Sequence, residues 1–145
     1  MPRALVPSSE EGGRRSFSFW LPLSRRDVGR GGPGFAVKAG STITLRASWP
    51  TCPQPAMQGC GAETYLYYDP GTQALSMQRE AMTVSWFATG GSFVSDVTGR
   101  ASDDDGTTTD DAWTAPTTAG AVLVWVVLRD DRGGVSWEQY RFDVM

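Results

Sequence analysis

The chain has 145 residues, 40% of them apolar and 20% charged, which is enough for one domain with a hydrophobic core and too apolar for a chain disordered throughout. Histidine is absent, which excludes Ser/His/Asp and Cys/His triads and every His-ligated metal site. The net charge of −3 argues against a nucleic-acid partner. Charge is unevenly spread: residues 1–46 carry +5 and residues 47–145 carry −8. The longest apolar run, Ala119–Leu128, is half the length a membrane-spanning helix needs.

Residues 1–15 are small, polar and charged, and are expected to form a disordered leader ahead of one domain at 16–145. Met1–Gly13 has no apolar h-region, so a reading of export places the signal outside this sequence. Ser16–Leu23 reads as a strand that Pro22 confines to an edge. Arg25–Gly34 is a Gly-rich loop; it does not follow a strand and open a helix, so it is no phosphate loop. Phe35–Ser48 alternates, with Ile43, Leu45 and Ala47 on one side, as a half-buried strand does.

Residues 50–80 read as an insertion, a cysteine loop followed by a hairpin. Cys52 and Cys60 enclose seven residues rich in Pro and Gly. Two cysteines without histidine cannot complete a structural zinc site, and the spacing is not that of a CxxC redox pair. A disulfide closing the loop is the simplest use, worth about 2–3 kcal/mol by loop entropy and stable in an oxidising compartment; the alternative is two free thiols. Thr64–Tyr68 and Ala74–Gln78, joined through Asp69-Pro70-Gly71-Thr72, predict a β-hairpin.

Met82–Thr89 is a further strand, ended by Gly90-Gly91; Ser92–Val97 is a short one. Arg100–Asp111 reads as an acidic loop. Ala112–Pro116 leads into Ala121–Leu128, the strongest strand in the chain. Arg129–Gly134 is a turn, and Trp137–Val144 is the last strand. Many short strands with turn signals, and no helical period, predict an all-β antiparallel sandwich.

The pieces VSWFATGGSF (Val84–Phe93), AWTAPTTAG (Ala112–Gly120) and AVLVWVVLRDDRGG (Ala121–Gly134), with a final alternating strand, resemble a bacterial immunoglobulin-like domain of the PKD type. VKAGSTITLRA (Val37–Ala47) resembles the second strand of that fold. With its cysteine loop and YLYYD hairpin, the arrangement is similar to C-terminal modules of uncharacterised bacterial lipoproteins. The resemblance implies an Ig-like sandwich in an extracellular or cell-envelope protein, serving as spacer, adhesion module or partner-binding module, with no family catalytic residues. One turn departs from the pattern: Ala88-Thr89-Gly90-Gly91 lacks the usual Asp.

Resemblance and alternation together assign faces. Val122, Val124, Val126 and Leu128 are expected inward, as are Val84, Trp86, Tyr140, Phe142 and Val144. Phe87, Leu123, Trp125, Val127 and Trp137 are then expected on one outer sheet face, the candidate site for another protein, for further domains of the same protein, or for a glycan. Ser16–Leu23 or the hairpin could instead cover that face from within the chain.

Asp103, Asp105 and Asp110 suggest a Ca²⁺-stabilised loop as an alternative, although Ala101 and Ala112 stand where an EF-hand needs its first and twelfth ligands. A weak hydrolase using paired carboxylates is a remote alternative, since these acids lie in turns without apolar surroundings to raise a pKa. The expectation is a non-catalytic module without cofactor or resident metal.

Overall fold

The structure, a computed structural model, describes residues 7–11, 14–20, 34–51 and 61–145; for the first two stretches only the backbone strands are described. Cys52 and Cys60, and with them the expected disulfide, lie outside the described residues. The described residues form an all-β fold of twelve strands. These are β1 (Pro7–Glu11), β2 (Arg14–Trp20), β3 (Phe35–Val37), β4 (Thr42–Ser48), β5 (Thr64–Asp69), β6 (Ala74–Arg79), β7 (Met82–Ala88), β8 (Ser92–Phe93), β9 (Val97–Arg100), β10 (Thr108–Thr114), β11 (Gly120–Asp130) and β12 (Val135–Val144). One five-stranded sheet has the order β1-β2-β4-β10-β8, the other β3-β12-β11-β7-β9, and β5-β6 stand apart as a two-stranded sheet.

The two large sheets present their apolar sides to one core. The first contributes Ile43, Leu45, Ala47 and Trp113, and the second Val84, Trp86, Val122, Val124, Val126, Leu128, Phe142 and Val144. Period-two alternation produces this directly, because successive side chains leave a strand on opposite faces. Aromatic contacts fill the core. Trp113 and Phe142 are 5.4 Å apart between ring centres, Phe142 and Phe35 5.6 Å, and Trp86 and Phe93 6.1 Å, all tilted. The two indole N–H groups are satisfied: Trp86 donates to the Thr98 hydroxyl at 2.9 Å and Trp113 to the Gly90 carbonyl at 3.1 Å. Trp49, at the end of β4, is also buried.

Four features differ from the sequence expectations. Pro7–Glu11, assigned by composition to a disordered leader, forms β1, paired antiparallel with β2. Its polar residues have low strand propensity, so the pairing supplies what the local sequence does not. Phe35–Ser48 is two strands in two different sheets. Gly40, at φ 69°, turns the chain between them, and Ser41 N–H donates to the Lys38 carbonyl at 3.1 Å. The sheets are not wholly antiparallel: β2 pairs parallel with β4, and β3 parallel with β12. A parallel pair needs a long connection between its strands, and both pairs have one.

The acidic loop is shorter than expected, because β10 begins at Thr108 and takes Asp110 and Asp111 into the sheet. Asp is a poor strand former, but both carboxylates are occupied. Asp110 accepts two 2.7 Å bonds from the Arg46 guanidinium on neighbouring β4. Buried Asp111 accepts from the N–H groups of Ala112 and Ser95.

Candidate functional site

β11 is the central strand of its sheet, with β12 on one side and β7 on the other. Register fixes the outer face in rows. Trp125 lies opposite Phe87 on β7 and Gln139 on β12. Val127 lies opposite Ser85 and Trp137, and Leu123 opposite Arg141. The five residues expected on this face are therefore brought together on it. Phe87 is 51% and Trp137 45% exposed. Leu123, Trp125 and Val127, in the middle of the sheet, are half-buried between their neighbours.

Sequence reasoning missed two members. Val97 on β9 is opposite Ser85 and extends the Trp137–Val127 row to the sheet edge. Val135, opposite Arg129, lies in the next row. Both are about half exposed. Neither was legible without the strand register, since β9 and the first turn of the β11–β12 hairpin carry weak alternation. Polar groups border the patch. Arg129 reaches across to donate to the Ser85 hydroxyl at 3.3 Å, and Arg141 pairs with Asp143 at 2.9 Å. The surface is a hydrocarbon and aromatic strip with a polar margin.

The described residues of the two segments expected to cover this face lie elsewhere. β2 is hydrogen-bonded to β4 in the opposite sheet. The β5–β6 hairpin forms its own sheet, tied at its base to the β11–β12 turn. There Glu80 accepts from the Glu63 N–H at 3.0 Å and pairs with Arg132 at 3.2 Å, and Arg132 lies 4.9 Å over the Tyr65 ring.

The acids weighed as a calcium site are dispersed. Asp110 is engaged by Arg46, and Asp104 by Arg100 at 2.8 Å. The Arg100 bond, with the Gly106 N–H, holds the Asp104 carboxyl below the usual carboxylate range. Asp103 and Asp105 point to solvent. Among the described residues no three Cys, Asp or Glu side chains group as metal ligands. On the inward side of β12, burial pushes the Glu138 carboxyl up, and burial together with Glu138 pushes the Tyr140 phenol well above its usual range. Alternation puts Glu138 inward, but nothing in the sequence marked it as a perturbed acid.

Among the described residues no helix is long and apolar enough to cross a membrane. No family model matches the chain, and no curated protein matches it. Among solved structures the chain is similar, at 13% identity and a TM-score of 0.41, to a nucleoside hydrolase-related hypothetical protein from Saccharophagus degradans associated with carbohydrate metabolism. That match covers 77% of this chain, which spans only 22% of the other.

Proposed function

We propose that this chain is a non-catalytic, immunoglobulin-like module of the PKD type in an extracellular or cell-envelope protein, and that it holds a protein partner against the outer face of β12-β11-β7. The observation that carries this reading is the contiguous strip of Phe87, Leu123, Trp125, Val127 and Trp137, with Phe87 and Trp137 about half exposed. An isolated exposed apolar residue needs no explanation, whereas a continuous aromatic strip with a polar margin is the composition of a contact surface. The Cys52–Cys60 disulfide belongs to the same reading, because such a bond persists in an oxidising compartment.

The test is acrylamide quenching of the native protein, with Trp125→Ser and Trp137→Ser made singly and together and the cysteine oxidation state read by mass. A surface role requires that both substitutions remove strongly quenched emission while the near-ultraviolet signal of the core tryptophans persists. Unfolding of the double variant would show that the strip is core and end the proposal. A protein that binds immobilised polysaccharide through the same two residues would replace the protein partner by a glycan.

A further inference from the structure

We propose that the β5–β6 hairpin is a self-association arm, through which two copies of this chain pack apolar face to apolar face. Register puts Leu66 opposite Met77 and Tyr68 opposite Leu75. Residues two apart share a face, so these four side chains form one patch. They are 55–65% exposed, which leaves on the order of 500 Å² of mostly apolar surface in water on a single arm, as large as the largest patch of a typical monomer. A lone two-stranded hairpin is marginal in water, and covering one face is what stabilises it.

The other face is already used, by Arg132 over Tyr65. The open face has no cover among the described residues, and two arguments point to a second copy. The first is area. Two such faces together remove at most about 1,000 Å² from water, at the threshold for a specific interface and in keeping with a weak dimer. The second is symmetry. A twofold axis needs a patch that fits itself, and this one presents two similar apolar rows along its length.

Arg79 shares the face of Leu75 and Met77 at the base of the arm. When the arms cross base over tip, Leu66 covers the partner's Tyr68, and Met77 covers the partner's Leu75. This crossing also keeps the two cores at opposite ends, so nothing else must move. Within its own chain, Arg79 already lies near enough to Asp104 to help lower that carboxyl.

Sedimentation equilibrium of the full chain, from micromolar to about 0.5 mM with intermolecular disulfides excluded by mass, tests this. The expected result is a concentration-dependent doubling of mass. Leu66→Asp and Met77→Asp should each move its midpoint at least about tenfold higher, with unchanged thermal melts. Trp125→Ser, on the sheet face, should leave the midpoint where it is. Tyr68→Lys is the second variant should either substitution disturb folding, and amide exchange in β5 and β6 should slow as concentration rises. A protein monomeric over the whole range overturns the proposal. So does a dimer indifferent to the hairpin variants, or one that Trp125→Ser dissolves. None of these outcomes bears on the accessibility of Trp125 and Trp137 in the monomer, so the two proposals stand or fall separately.

Discussion

Arg132 and Glu80 form a joint between the hairpin and the core, and its energetics can be ordered in advance. Glu80 is 6% exposed, while Arg132 is about half exposed and stands over Tyr65. Arg132→Met keeps much of the side-chain volume but removes the cation. It loses a cation–π contact worth about 0.5–1 kcal/mol. It also leaves a buried carboxylate that, among the described residues, retains only the Glu63 N–H as partner. Stranding one member of a fully buried pair costs about 3–5 kcal/mol, and the exposure of Arg132 reduces this to about 1–2. The total is about 2 kcal/mol, or a fall of roughly 5–10 °C in Tm. Glu80→Gln also breaks the ion pair, but leaves a neutral group whose oxygen still accepts from Glu63, and should cost about 0.5–1 kcal/mol. Thermal melts of the two variants and their double mutant give the comparison. Amide exchange should place the loosening in β5 and β6. If Glu80→Gln destabilises as much as Arg132→Met, a stranded charge is not the dominant cost and the reasoning fails.

Gly91 has φ 79°, and a Cβ there would meet the Thr114 carbonyl oxygen and the Trp113 ring. Gly91→Ala should therefore cost at least about 2 kcal/mol in a denaturant melt, more than an ordinary surface substitution. Glu138 behaves in the opposite sense. Its folded carboxyl is raised above its ordinary 4.5, so the native state binds the proton more tightly than the unfolded chain does. Stability falls as pH rises from about 4.5 through the raised value, and the penalty is full above it. Glu138→Gln should thus stabilise the protein at pH 7, by less than about 1 kcal/mol given partial solvent screening, with the gain vanishing below about pH 4.5. A melt series against pH reads both the sign and the window.

The parts of the fold that were legible in the sequence are those where one rule dominates. β11 is apolar on both sides, so period two groups Val122, Val124, Val126 and Leu128 on one side and Leu123, Trp125 and Val127 on the other, while the resemblance was needed to say which side faces inward. The same rule assembled the candidate face, because strands next to β11 must share its sides. β10 was not legible, since TTTDD resembles a solvated turn until Arg46 and the N–H groups that bind its acids are known. The division at Gly40 was equally hidden: Phe35–Val37 and Thr42–Ser48 look like one alternating run, and only the partners of each show that they belong to different sheets. The burial of Trp49 and Trp113 depends on contacts between sheets, to which local periodicity is blind. In TYLYYD both sides of the strand are apolar, so the hairpin was legible but its exposed face was not.

The inner and outer sides of β11 answer to different demands, and this makes the outer side testable apart from stability. Inward, Val124, Val126 and Leu128 are fully enclosed, and the aromatic contacts Trp113–Phe142 and Trp86–Phe93 join the two sheets. The fold asks much less of the outward positions. A half-exposed place in a central strand is filled well by any β-branched side chain, and Thr there costs little in strand propensity. Trp125, flanked by Phe87 and Gln139, exceeds that demand. Trp125→Thr should cost about 1–2 kcal/mol, from partial loss of apolar contact with its two neighbours. Truncation of a buried core Trp such as Trp113 costs roughly 3–5 kcal/mol. Urea melts of Trp125→Thr and Trp113→Ala measure the difference directly. Equal losses would place Trp125 within the structural core and remove the basis for reading its face as a contact surface. A small loss for Trp125→Thr beside a large one for Trp113→Ala means that the indole is not required by the sheet, and that its place on the open face must be explained by what the face meets.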